Sequence, residues 1–231
     1  MMRATALSLL LVAGAIQADM NDEPLLFSFE AHELELRKDG GDSSVAWDAA
    51  AWFGTTRDRL VLRSEGEADD SATDAFESVL AWSRAVSPYW NLNLGWRGDW
   101  QPEQRRSWAL VEFEGLAPGF VDTRFSILAG GEGRYAARLE LETEWRLARR
   151  LKLAPLLEFD WYRRADLVNE RGSGLTEIEA GLRLKYVIRP DLEPYIGLSW
   201  ARLAGDTADQ ARAAGQHVRE TNLIAGLSFW F

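Results

Sequence analysis

The feature that most constrains this chain is an alternation of apolar and polar residues that recurs along nearly its whole length. In residues 135–147, the odd positions are uncharged, whereas all the charged residues stand at even positions. A repeat of two residues predicts a β-strand with one apolar and one polar face, because a helical repeat could not separate the charges in this way. The same pattern marks residues 90–100, 151–161 and 176–188. These predicted strands exceed the ~5–6 residues usual in soluble proteins and approach the ~9–11 that cross a bilayer at a tilt.

The pattern predicts about 12 strands that form a closed antiparallel transmembrane β-barrel. Short turns and longer polar loops alternate between successive strands, as in bacterial outer-membrane barrels, whose short turns are periplasmic. Closure is required because an open strand edge cannot satisfy its hydrogen bonds in lipid, and an even strand number would place both termini in the periplasm. The alternation slips between Ala31 and Leu34, which predicts a β-bulge in the first strand. The predicted strands are 26–37, 45–55, 59–68, 74–86, 89–101, 106–115, 120–130, 135–147, 151–163, 175–188, 194–203 and 220–231.

Composition supports a membrane location and narrows the partners. The chain has 11 tryptophans, whose amphipathic rings are enriched where a membrane meets water, so we expect contact with outer-membrane lipids. It ends on Phe231, and a terminal aromatic residue on an alternating strand resembles the signal that outer-membrane assembly machinery reads. A secreted β-sandwich or lipocalin-like barrel would alternate too, but with shorter strands. The net charge of −10 argues against a nucleic-acid partner, and the lack of cysteine excludes thiolate chemistry.

The N-terminus has the features of an export signal. Arg3 precedes an apolar run over residues 4–16, and Ala18 is a small residue before a cleavage point; cleavage after Ala15 is an alternative. The run is too short for a transmembrane helix, which needs about 20 apolar residues. We therefore expect a signal peptide at 1–18, a short N-terminal segment at 19–25 and a barrel at 26–231 in the cell outer membrane.

If the apolar faces meet lipid, the lumen holds the charged faces. One interpretation is a plugged, ion-paired interior that stabilises the barrel, and this is slightly favoured; the other is a cation-attracting channel or binding cavity. No arrangement of nucleophile, base and orienting group is present, so we do not expect an enzyme. The predicted lumen residues are Arg97, Asp99, Glu112, Glu114, Arg138, Glu140, Glu142, Glu144, Arg146, Lys152, Glu158, Asp160, Glu177, Glu179, Arg183 and Lys185.

Several segments resemble the copper resistance protein B family. They are 47–48 (WD), 64–67 (SEGE), 82–90 (WSRAVSPYW), 115–118 (GLAP), 172–175 (GSGL), 205–215 (GDTADQARAAG) and 229–231 (FWF). The resemblance covers roughly residues 25–231, and the 205–215 segment is its most specific part. It implies a role in copper tolerance at the outer membrane by binding, sequestering or passing copper ions, with a periplasmic copper protein as a partner.

The chain departs from that family in its copper ligands. Many members carry a segment rich in methionine and histidine before the barrel, whose thioether and imidazole groups suit copper. Here only residues 19–24 remain, with Met20, so His32 and His217 are the other strong ligands besides carboxylates. We therefore predict at most a weak lumen-facing copper site centred on His32, with Glu30 or Glu33 assisting. The alternative functions are a small ion or small-molecule channel without a dedicated copper site and a purely structural envelope barrel.

Overall fold

The computed structural model describes residues 23–39, 42–69, 75–100 and 104–231. The predicted signal peptide and Met20 lie outside the described residues. The strands are β1 (Leu26–Asp39), β2 (Asp42–Gly54), β3 (Asp58–Asp69), β4 (Ala75–Ser87), β5 (Trp90–Trp100), β6 (Arg106–Ala117), β7 (Val121–Gly130), β8 in two segments (Arg134–Thr143 and Trp145–Ala148), β9 (Leu151–Tyr162), β10 (Gly174–Tyr186), β11 (Leu192–Leu203) and β12 (Arg219–Trp230).

Each strand pairs antiparallel with its neighbour in sequence, and β12 pairs with β1, so the sheet closes on itself. The fold is thus the predicted 12-strand antiparallel barrel. The register of β1 against β2 shifts between Ala31 and Glu33, which confirms the β-bulge. At the seam, Phe29 and Phe231 exchange two backbone hydrogen bonds of 2.9 and 3.0 Å.

The outer wall is apolar, as the alternation predicts. Leu36, Ile196 and Leu223 are each more than 60 % exposed although they are aliphatic, which is expected of side chains that face lipid. Exposed aromatic rings such as Tyr89 and Tyr135 lie near the two ends of the strands. No helix among the described residues is long and apolar enough to cross a membrane.

The two ends of the barrel differ. We call the end that carries Leu26 and Phe231 the terminal end; its connections are short turns. The opposite end, the loop end, carries the longer connections, including residues 163–173 and the helix α1 (Gly205–Ala213). The sequence analysis treated residues 204–219 as a polar loop and did not predict this helix.

Candidate functional site in the lumen

Paired charges occupy the middle of the lumen. Four arginines from well-separated strands each pair with a carboxylate. We call the eight residues of these four pairs the central belt. A cavity lined by Arg63, Arg97 and Arg138 has a volume of about 20 Å³, which is room for little more than one water molecule. The belt consists of Arg63 with Glu112, Arg97 with Glu77, Arg138 with Asp160, and Arg183 with Glu35.

Arg138 links opposite walls of the barrel. From β8, its Nη1 atom lies 3.1 Å from Oε2 of Glu77 on β4 and 3.4 Å from Oε2 of Glu65 on β3. Its Nε atom lies 3.0 Å from Oδ1 of Asp160 and 3.0 Å from Oε1 of Glu158, both on β9. The side chain is 10 % exposed. Because it joins strands that are five apart in the sheet order, it acts as a cross-brace inside the lumen.

Glu112 shows how completely a belt carboxylate is satisfied. It accepts hydrogen bonds of 3.0 and 3.2 Å from the two terminal nitrogens of Arg63. It also accepts a hydrogen bond of 2.8 Å from the amide of Asn93 and one of 2.7 Å from the hydroxyl of Ser126. Bidentate pairing to arginine is among the stronger polar interactions in proteins, so this carboxylate has a structural role.

The wider space at the terminal end, which we call the terminal chamber, has a volume of about 450 Å³. Among the described residues that line it, nine are carboxylates and four are lysine or arginine. Several of these carboxylates remain accessible: Glu30 is 40 % exposed and Glu114 is 39 % exposed. This excess of negative charge within low-dielectric walls would raise the local concentration of cations.

A second space, the loop chamber, lies between the central belt and the loop end. Its volume is about 270 Å³, and eight carboxylates and three arginines are among its described lining residues. Both chambers therefore have the same sign of charge, and Glu33 lines both of them. The lumen thus has features of both interpretations of the sequence, since ion pairs occupy part of it and two acidic chambers remain.

The structure brings the predicted site residues together in the terminal chamber. His32, Glu30 and Glu33 all line it. The Nε2 atom of His32 lies 3.6 Å from Oε2 of Glu30, and the imidazole is 41 % exposed. Glu33 is instead held by Arg183, at 2.5 Å. His217 is exposed in the segment after α1 at the loop end, far along the chain from this pair. The described residues contain no group of three or more potential ligands placed to hold a metal ion.

Part of the lumen wall is apolar, which the sequence analysis missed. Trp108 and Tyr162 pack edge to face, with ring centroids 6.2 Å apart, and the indole N–H donates a 2.8 Å hydrogen bond to Asp99. With them lie Val79, Ala81, Leu110, Leu128 and Ala136, all buried. Trp108 and Leu110 share the parity of Glu112 in β6, so the signal was present in the sequence. It was hidden because apolar residues occupy both faces of the strand.

Residues 163–173 fold over the loop end. The guanidinium of Arg106 on β6 donates hydrogen bonds of 2.6 and 2.7 Å to Asp166, and Asn169 donates 3.2 Å to the carbonyl of Gln104. The guanidinium of Arg171 donates a 2.5 Å hydrogen bond to the hydroxyl of Tyr162. This segment follows β9, so a contact with β6 requires that it cross the mouth of the barrel.

The helix α1 holds this segment in place. The backbone N–H of Gly172 donates a 2.8 Å hydrogen bond to the hydroxyl of Thr207, and Ser173 donates 2.5 Å to Asp206. A Cβ atom on Gly172 would lie 2.3 Å from the backbone nitrogen of Thr207, so only glycine fits. The GSGL and GDTADQARAAG segments of the sequence are therefore joined by two hydrogen bonds.

An apolar outer wall, a closed sheet and a charged, partly filled interior define an integral outer-membrane β-barrel. The model of the family Copper resistance protein B precursor (CopB) matches residues 25–231, and the chain belongs to this family. It is 36 % identical over 212 residues to Copper resistance protein B of Escherichia coli and 37 % identical over 212 residues to the Copper resistance protein B homolog of Pseudomonas syringae pv. tomato. In both cases the match covers 92 % of this chain and 72 % of the relative.

Solved structures agree with the fold. The KdgM porin superposes with a TM-score of 0.51 at 11 % identity, covering 89 % of this chain and 99 % of the porin. The NanC porin gives a TM-score of 0.52 at 10 % identity, covering 88 % of this chain and 99 % of the porin. Family and fold together support copper resistance as the role and the outer membrane as the location.

Proposed function

We propose that the barrel contributes to copper resistance by drawing copper ions into its acidic lumen, where they are bound, sequestered or passed onward. The observation that carries this proposal is the accessible carboxylate excess of the two chambers. Carboxylate oxygen and imidazole nitrogen together form a ligand set that Cu²⁺ accepts. His32 and Glu30 supply one of each, and Nε2 of His32 lies 3.6 Å from Oε2 of Glu30. The proposal includes no chemical step, and we propose that the barrel does not act as an enzyme. A periplasmic copper protein that exchanges ions with the terminal chamber would dock at the terminal end.

The second candidate is a small-ion channel without a dedicated copper site. The same chambers favour it, because carboxylates attract any cation and the charge alone does not select copper. The two functions predict different effects of neutralising the terminal chamber. A copper-handling barrel should lose copper tolerance, whereas a general channel should lose conductance and keep copper tolerance.

The test compares two triple variants with the same change in charge. Glu30→Gln, Glu114→Gln and Asp122→Asn remove charge from the terminal chamber, whereas Asp39→Asn, Glu132→Gln and Asp209→Asn remove it from exposed residues at the loop end. Each is expressed in a host that lacks its own copper resistance protein B. Growth with copper should be restored by the wild type and the loop-end variant and not by the chamber variant.

Conductance in planar bilayers separates the alternatives. If the chamber variant loses conductance for potassium while copper tolerance is unchanged, the general channel is the better description. Unchanged tolerance and unchanged conductance in the chamber variant would remove the basis for both.

A further inference from the structure

We propose that a groove on the outer wall at the terminal end binds the phosphate of an anionic phospholipid. The groove lies between the β8–β9 turn and the β10–β11 turn and has a volume of about 740 Å³. Three arginines, Arg149, Arg150 and Arg189, line it together with apolar residues that include Leu151 and Ile188.

The groove arginines have little to neutralise them. Arg149 and Arg150 are exposed, and neither forms an ion pair with a described residue. Nη2 of Arg189 lies 3.3 Å from Oδ2 of Asp191, but the side chains are 64 % and 45 % exposed, and such surface pairs contribute little. The groove therefore has a strong positive charge in a chain whose net charge is −10.

Two other arginines near the terminal end have partners. The guanidinium of Arg59 stacks over the ring of Trp52 at 4.5 Å, and that of Arg84 lies 5.8 Å from the ring of Trp82. Arg84 also contacts Asp58 at 3.8 Å. The groove differs from the rest of this end because three exposed arginines cluster in it beside apolar residues, whereas the exposed Arg57 and Arg146 do not line it.

The floor of the groove continues the lipid-facing wall. Tyr186 and Ile188 are 46 % and 50 % exposed, and the neighbouring Trp145 and Leu147 are 55 % and 56 % exposed. Exposed tyrosine and tryptophan rings are typical of the membrane–water interface. An acyl chain that packs along this surface would place its phosphate at the height of the arginines. A soluble acidic protein would pair with the arginines but would not need the apolar floor, whereas a phospholipid matches both the charge and the apolar surface.

The frame that carries the arginines is fixed. The N–H of Val187 donates a 2.9 Å hydrogen bond to the carbonyl of Arg150, and Leu151 pairs with Tyr186 in the sheet. The two turns are thus held side by side. Guanidinium groups bind phosphate through paired N–H donors, which makes arginine better suited than lysine to this position.

The experiment titrates the purified, folded full chain in neutral detergent with phosphatidylglycerol or phosphatidylcholine of the same acyl length and counts bound lipids by native mass spectrometry. The groove variant carries Arg149→Gln, Arg150→Gln and Arg189→Gln. The matched control removes three exposed arginines from the loop end: Arg163→Gln, Arg202→Gln and Arg219→Gln. Heat-modifiable migration in gels checks that each barrel is folded.

The wild type should prefer phosphatidylglycerol, the groove variant should lose at least roughly tenfold in affinity for it, and the control should stay within about twofold of wild type. A second variant with lysine at the three groove positions keeps the charge, and should show an intermediate loss; it also serves as the test if the glutamine variant does not fold. Equal losses in groove and control variants, or equal binding of both lipids by the wild type, would overturn the proposal.

Two further outcomes would overturn the proposal. Displacement of the lipid by excess inorganic phosphate would mean a free-anion site. Full lipid binding by the groove variant would show that the three arginines do not bind the phospholipid. Either result contradicts a phospholipid site.

Discussion

The charged side chains of the lumen divide by how many partners each has. In the central belt, Glu112 accepts four hydrogen bonds, and Arg138 contacts four carboxylates. In the terminal chamber, Glu30 contacts only Ser28 and His32 among the described residues. A side chain with all its hydrogen bonds made stabilises the barrel, whereas one that is partly exposed can bind an ion.

Arg138→Gln should destabilise the barrel strongly. Removing one partner of a buried ion pair leaves uncompensated charge, which typically costs about 3–5 kcal/mol in free energy of unfolding. Urea unfolding of the reconstituted barrel measures the change. The control is Arg212→Gln, because Arg212 is 55 % exposed and pairs with Asp209 within the same helix; it should change stability by less than about 0.5 kcal/mol. Similar effects of the two substitutions would contradict the role of Arg138 as a cross-brace.

His32→Ala should weaken copper binding to the purified barrel by about tenfold or more, the scale of losing one supporting interaction of a metal site. Its side chain is 41 % exposed, so folding should be unaffected. The control is His217→Ala, which removes the other described histidine, at the loop end. Isothermal titration with Cu²⁺ measures both. Equal affinities for wild type and His32→Ala would show that copper binding, if present, does not depend on this histidine.

At the scale of elements, the strands were predictable and the structures at their ends were not. The ends of every strand were predicted to within three residues. An apolar outer wall requires apolar and polar residues to alternate, and this alternation is visible along each strand of the sequence. The helix α1 has no comparable pattern, because it consists mostly of alanine and polar residues. Its position depends on contacts with Gly172 and Ser173, which are distant in the sequence. The break of β8 at Glu144 was also missed, since alternation continues through it.

The segment 163–173 should respond to acid through Asp166. The hydrogen bonds from Arg106 hold the pKa of Asp166 below its ordinary value. A lowered pKa in the docked state means that this contact stabilises docking above the ordinary aspartate pKa of about 3.9, and that the stabilisation is lost as the pH falls through the lowered value. The segment should therefore stay docked at neutral pH and loosen only in strong acid.

A spin label attached through Val168→Cys tests this, because the chain has no native cysteine and Val168 is 52 % exposed. The label should become mobile at acid pH in the wild-type background and already at neutral pH with Asp166→Asn. Asp209→Asn, which removes an exposed ion pair at the same end, should leave its mobility unchanged. A label that is equally mobile with and without Asp166 would show that the ion pair does not hold the segment.

At the scale of the whole molecule, the pairing inside the lumen depends on closure. The sequence correctly placed charged residues such as Arg138 and Glu112 on the inner face, and it placed His32 beside Glu30 because the two are close in the chain. The predicted lumen residue Arg146 is exposed beyond the break in β8 and lines neither chamber. It could not pair Arg138 with Glu65, since these residues are 73 positions apart and meet only when the barrel has a definite register. Local patterns therefore predict which residues face the lumen, whereas their partners require the closed sheet.

The seam between β1 and β12 completes that closure, and its last residue should be needed for assembly. Deleting Phe231 removes both backbone hydrogen bonds to Phe29 and a ring contact whose centroids are 5.3 Å apart. It also removes the terminal aromatic residue that resembles an assembly signal. We expect the truncated chain to reach the outer membrane in much lower yield, measured by immunoblot of membrane fractions.

Lysine substitutions in β12 separate the outer and inner faces of the same strand. Leu227→Lys and Phe229→Lys place charges on the lipid face, where one costs about 2–4 kcal/mol at mid-bilayer and less near the interface, so insertion should fail. Ser228→Lys is the matched control, because Ser228 lines the acidic terminal chamber, where a cation is compatible with the nearby carboxylates. The yield of folded Ser228→Lys should therefore remain close to wild type. Equal yields for lysine at 227 and 228 would contradict the assignment of the two faces, and with it the closed barrel on which the acidic lumen depends.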